Sequence, residues 1–132
     1  MILERRTPAF SDARGAITDI VENVPFDSLT LITCSQGAVR ANHFHKETVQ
    51  YTYILSGSCR YVSQQPGAPV EEAVVSSGDL VVSPPLESHA FEALEESVLL
   101  AFCRGPRGGT QYETDTFRLD EPLIWPKEGA GA

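Results

Sequence analysis

Gly37-Ala-Val-Arg-Ala-Asn-His43-Phe-His45-Lys-Glu-Thr-Val-Gln50-Tyr-Thr-Tyr-Ile-Leu-Ser-Gly57 is the stretch that decides how this chain is read. It holds two of the three histidines, one residue apart. Side chains alternate faces along a strand, so His43 and His45 are predicted to point the same way. Gln50 opens the apolar run that ends at Gly57. The third histidine, His89, has a parallel setting: Gly78-Asp79, an apolar run, Pro84-Pro85, then His89. No histidine lies outside these two segments, which points to chemistry rather than filler.

Around this stretch the chain has 132 residues, 42% hydrophobic and 21% charged, enough for one domain with a real core. A net charge of −8 with no basic tract disfavours nucleic acid and anionic membrane as partners. No apolar run approaches a membrane span, and the first residues have no secretory pattern, so the expected location is cytoplasmic. Cys34, Cys59 and Cys103 are odd in number and far apart, and read as small buried hydrophobes.

Strand patterns are predicted over 16–24, 28–34, 39–45, 48–55, 58–64, 70–75, 80–83, 89–94 and 97–103, with a short piece at 116–119. Turn signals separate them: Pro25-Phe26-Asp27, Ser35-Gln36-Gly37, Gly57, Gln65-Pro66-Gly67, Ser77-Gly78-Asp79 and Pro84-Pro85. Residues 1–15 form an arm that is loose or pairs at a sheet edge and turns at 12–15. Residues 104–109 read as a glycine-rich loop, 110–132 as a tail, and 128–132 as a frayed end. Short strands at regular spacing and no amphipathic helix predict an all-β sandwich or barrel: one domain over 1–132, with its core at 16–104.

These residues resemble the cupin family. Its first motif is Gly, five residues, His-x-His, three or four residues, usually Glu, six residues, Gly; Gly37, His43-Phe44-His45, Gln50 and Gly57 match every spacing. Its second is Gly, five residues, Pro-x-Gly, two residues, His, three residues, usually Asn. Gly78, Pro84, Leu86, His89 and Ala93 are in register, with Leu86 in place of Gly and Ala93 in place of Asn. The resemblance implies a double-stranded β-helix, a jelly-roll barrel, often paired as a homodimer through outer strands and terminal arms.

It also implies a divalent metal (Fe, Ni, Mn, Zn or Cu) at the barrel mouth, held by His43, His45, His89 and the residue at position 50. Here that residue is Gln50, a weak neutral donor that can coordinate or orient a water, but cannot act as a carboxylate base. By alternation Thr52 and Ile54 share Gln50's face and Phe91 shares that of His89, so all three are expected to line the pocket. Tyr51 and Tyr53 face away. Glu47 and Glu87 read as carboxylates in water.

Three functions fit. The first is a metal-dependent enzyme on a small molecule, of dioxygenase, isomerase or lyase type, with His43, His45 and His89 at the catalytic centre. The second rests on Arg40-Ala41-Asn42-His43-Phe44-His45-Lys46, which is similar to the Arg-Gly-x-His-x-His-Lys segment of keto-sugar isomerase and epimerase cupins. There the histidine pair moves protons on a nucleotide-linked sugar and needs no metal. The third is a non-catalytic domain that binds a small molecule.

Overall fold

The structure is a computed structural model that describes residues 1–106 and 114–126. Residues 107–109 of the expected glycine-rich loop and the expected frayed end at 128–132 lie outside the described residues.

The described residues form twelve strands: β1 (Ile2–Arg5), β2 (Phe10–Asp12), β3 (Gly15–Ile17), β4 (Ser28–Cys34), β5 (Val39–Phe44), β6 (Val49–Ser56), β7 (Ser58–Gln64), β8 (Glu71–Ser76), β9 (Asp79–Ser83), β10 (Ser88–Ala93), β11 (Ser97–Arg104) and β12 (Phe117–Arg118). Two five-stranded antiparallel sheets, in the orders β1-β9-β6-β11-β4 and β12-β5-β10-β7-β8, form the jelly roll. A small hairpin, β2–β3, stands apart from both. Among the described residues no helix is long and apolar enough to cross a membrane.

Alternation along the strands fills the space between the sheets. Cys34, Ile54, Cys59, Tyr61, Val75, Val81, Phe91 and Leu99 form the main core. All three cysteines are buried thiols, and burial pushes the Cys59 thiol above its ordinary value. The Tyr61 hydroxyl spans the core to Ser83 Oγ at 2.9 Å, and burial pushes its pKa well above the usual tyrosine value.

The strand expected over 16–24 ends at Ile17. Beyond it Asn23 takes a positive φ of 54°, and Ile20 and Val21 pack on Tyr53, Leu80 and Phe102, on the outer face of the first sheet. Burying those two side chains against that face wins over continuing the strand. The arm does pair at an edge: β1 runs antiparallel to β9, with Ile2 opposite Val82 and Arg5 opposite Asp79.

The backbone also accounts for the glycine expected at two positions where this chain has none, position 86 of the second motif and position 41 of the segment similar to keto-sugar isomerases. Ala41 sits at φ 73° and Leu86 at φ 72°, in the left-handed region. Asn42, at φ 57°, follows Ala41. Between them they form an irregularity in the β5–β10 ladder, where the register shifts between His89 and Ala90.

Candidate functional site

β5 and β10 bring His43 and His89 into register as direct partners. His45 follows just past the end of β5. All three rings are buried, at 6%, 2% and 0% exposure for His43, His45 and His89. Ring centroids lie 4.8 Å apart for His43 and His45, 4.7 Å for His43 and His89, and 5.5 Å for His45 and His89. One nitrogen from each falls within 4.8 Å of the others, close enough for the three to hold one metal ion.

Gln50 comes from the opposite sheet, where β6 places it beside Ser83 and Cys103. Its Oε1 lies 3.3 Å from His45 Nε2, and its Nε2 donates to Thr52 Oγ1 at 2.9 Å. On the far side of the His45 ring, Nδ1 is 2.7 Å from the main-chain oxygen of Asp115. A carbonyl only accepts, so Nδ1 carries the proton there. The amide at position 50 then serves both charge states of His45. With its oxygen forward it accepts from an imidazolium. Turned over, it donates to the lone pair of a neutral ring and accepts from the Thr52 hydroxyl. A carboxylate would favour the charged ring alone.

The mouth opens on a cavity of about 540 Å³ whose wall includes His43, Gln50, Thr52 and Phe91 with Arg40 and Arg118. Its apolar side includes Ile32 and Leu99. Thr52 and Phe91 thus lie where alternation places them. Ile54 does not: it is fully buried in the core and absent from the cavity wall, because two residues further along β6 the inner face has reached the packed floor of the barrel. His45 and His89 sit behind His43, off the wall.

Glu87 is likewise not solvated as expected. It is 1% exposed, with Oε2 accepting from Gln65 Nε2 at 3.2 Å. The corner before β10 folds back so that the Leu86 N–H reaches the His45 carbonyl at 2.6 Å, which tucks the next side chain inward. Glu47 is exposed.

Two residues of the site carry no local sequence signal, because their contacts are made by a strap, residues 114–126, that crosses the barrel mouth. Asn42 holds one part: its Nδ2 donates to the Ile124 carbonyl at 2.8 Å, its Oδ1 accepts from Leu123 and Ile124 N–H, and its carbonyl accepts from Leu119. Asp115 holds the other. Its carboxylate accepts from the N–H of Lys46, Glu47 and Thr48 and from the Thr48 hydroxyl, all at 2.8–2.9 Å. Burial raises the Asp115 pKa, but these four bonds outweigh it and hold the carboxyl below its ordinary value. The strap brings Arg118, Leu119, Pro122 and Pro126 to the cavity.

A family model described as Cupin matches residues 23–116. No curated protein is matched by sequence. Similar solved structures include a dTDP-4-dehydrorhamnose 3,5-epimerase from Sulfolobus tokodaii, at 18% identity over 94% of this chain and 80% of that one, with a TM-score of 0.72. A 3,4-ketoisomerase from Thermoanaerobacterium thermosaccharolyticum in complex with TDP gives 24% identity, 89% and 86% coverage and a TM-score of 0.69. A 3,4-ketoisomerase from Helicobacter canadensis gives 18%, 89% and 90%, and 0.74. At these identities the likeness is one of fold.

Proposed function

The chain belongs to the cupin family, and from that premise we propose that it is an isomerase or epimerase of nucleotide-linked keto sugars in which His43 and His45 carry the proton transfers. The observation behind this reading is one cavity whose lining includes His43, Arg40 and Arg118 beside an apolar wall, with the Arg40 guanidinium anchored on the Thr33 carbonyl at 2.9 Å. Its volume of about 540 Å³ is in the range for a small organic ligand. Arginine forks suit the diphosphate of such a substrate, and the similar structures include enzymes of this class.

His43 is the imidazole that a substrate reaches. It takes the proton from a carbon next to the carbonyl, and the C–H electron pair passes to the carbonyl oxygen as an enolate. Arg118, the register partner of His43, offsets that charge. A proton returned to the former carbonyl carbon, with the neighbouring hydroxyl proton passing to the enolate oxygen, shifts the ketone by one carbon. His45 packs directly on the His43 ring, 4.8 Å between centroids, as the second imidazole of the pair, and the Gln50 amide orients it without itself carrying a proton.

The test is incubation with a dTDP-linked 4-keto-6-deoxy sugar in D₂O after chelator treatment. Deuterium should enter the carbon beside the carbonyl. Tight binding of the nucleotide sugar with no exchange would instead leave a non-catalytic binding domain.

The nitrogen cluster within 4.8 Å favours a second reading, a divalent transition-metal centre. The donor set fits: three imidazoles suit Fe, Ni, Mn, Zn or Cu and leave positions open for other ligands. His43, His45 and His89 would hold the ion, with Gln50 as a neutral fourth donor, and the ion would polarise a substrate oxygen. Elemental analysis of unstripped protein decides between the readings, since a stoichiometric metal with activity lost on chelation selects this one.

A homodimer is also proposed. The outer face of the first sheet carries an apolar row, Leu29–Phe102–Tyr51–Val82–Ile2, across all five strands; Ile20 and Val21 cover its middle, and its end residues Leu29 and Ile2 stay exposed. An outer antiparallel face is ordinarily polar. Light scattering on Leu31→Asp, whose side chain lies in the neighbouring row of that face, should show monomer where the parent shows dimer.

A further inference from the structure

The carboxylate and the main-chain carbonyl of Asp115 act on two neighbouring parts of the same segment. The carboxylate gathers three consecutive N–H groups and a hydroxyl from residues 46–48. The carbonyl meets Nδ1 of His45, the residue immediately before that turn. The residue is 4% exposed and lies 67 to 70 positions away in sequence from these hydrogen-bond partners. A carboxylate that only closed a loop would need neither the burial nor the imidazole.

We propose that Asp115 is the positioning residue for His45: its carboxylate fastens the strap to the 46–48 turn, so that its own carbonyl holds the imidazole as the Nδ1–H tautomer with the Nε2 lone pair turned toward Gln50 and the other two rings. In water a neutral imidazole exchanges freely between its tautomers, and only one of them offers Nε2 as an acceptor at the centre of the site. A single acceptor at 2.7 Å on the Nδ1 side selects it. The carbonyl needs the carboxylate, because the four bonds of the latter set where the carbonyl lies.

The inference rests on the keto-sugar reading only for its effect on turnover; the tautomer is measured without substrate. Full-length protein labelled with ¹⁵N-histidine, stripped of metal and held at a pH where His45 is neutral, is examined by two-dimensional NMR, with His45→Gln assigning the signals. The parent should show a protonated Nδ1 and a bare Nε2 on His45. Asp115→Ala should move both signals toward a mixture of tautomers and lower kcat about 10- to 100-fold. KM should change little, because Asp115 is not on the cavity wall. A parent signal with the proton on Nε2 overturns the proposal, as does an Asp115→Ala protein whose His45 signals and kcat are unchanged. If Asp115→Ala does not fold, the parent measurement still decides. An Nδ1–H tautomer in a protein that turns over no keto sugar supports this inference and removes the functional reading.

Discussion

His43 and His89 are register partners across β5 and β10, and their rings meet edge to face, 4.7 Å between centroids and 86° between planes. Only the first of the pair lies on the cavity wall. Their roles should therefore separate. His43→Asn is expected to lower turnover of a keto sugar by about 10²- to 10⁴-fold with the fold kept, whereas His89→Asn should act chiefly on metal retention. Steady-state kinetics beside elemental analysis checks both, and equal effects of the two variants on kcat would count against the division.

Gln50 faces His45 with an amide where a carboxylate would complete a charged ligand set. Gln50→Glu should raise retention of Mn, Fe or Ni by at least about tenfold, a first-order effect of adding an anionic donor beside three imidazoles. The readout is metal content after dialysis against a weak chelator. No gain in bound metal means that position 50 does not reach the ion.

Ala41 and Leu86 hold left-handed backbone at φ 73° and 72°. That conformation costs a residue with a Cβ about 1–2 kcal/mol, offset in part by the greater freedom glycine has in the unfolded chain. Ala41→Gly and Leu86→Gly should each stabilise by about 0.5–1 kcal/mol. Leu86 is half exposed, so its side chain gives up little packing. Urea midpoints at constant m-value provide the check, and a fall in midpoint for Ala41→Gly would refute the strain.

Gly57 takes φ 86°, and a Cβ there would lie 2.7 Å from the Ser97 Cα, against backbone that cannot step aside. Gly57→Ala should cost about 2–4 kcal/mol, the combined size of a left-handed penalty and overpacking. A variant that melts with the parent would show that the β6–β7 turn can shift freely.

Asp115 has a folded pKa below its ordinary value. Its carboxylate therefore adds stability that is present above the unfolded pKa and is lost as pH falls through the folded one. Asp115→Asn should cost about 2–4 kcal/mol at neutral pH, the scale of losing charge-assisted bonds in a buried site. The gap to the parent should narrow in acid, below about pH 4. Denaturant melts at pH 7 and pH 3 give the comparison, and a gap of constant size would contradict the assignment.

Much of the site was legible because its spacing is local. His43, His45 and Gln50 belong to one strand–turn–strand segment, and alternation alone aims them inward. His89 needed the parallel Gly-to-His pattern at Gly78. Ile54 was misplaced because alternation tells the face of a strand but not its depth in the barrel. Glu87 was misplaced because its direction depends on a corner bonded to the His45 carbonyl, far off in sequence. Asp115, Asn42's clasp and Arg118 were missed for the same reason: no periodicity encodes contacts of the strap with a turn some seventy residues earlier.

The strand orders carry a kinetic cost. In β1-β9-β6-β11-β4 no two neighbours are consecutive in the chain, and in β12-β5-β10-β7-β8 only β7 and β8 are. Distant segments must meet before most ladders form, so refolding is expected on the millisecond-to-second scale of high contact order, with the β7–β8 hairpin as the early local pairing within the two large sheets. Until β5, β6 and β10 have found one another, the imidazoles are strangers in a loose coil, and an intermediate stalled at the hairpin would have exposed apolar edges and no chemistry at all.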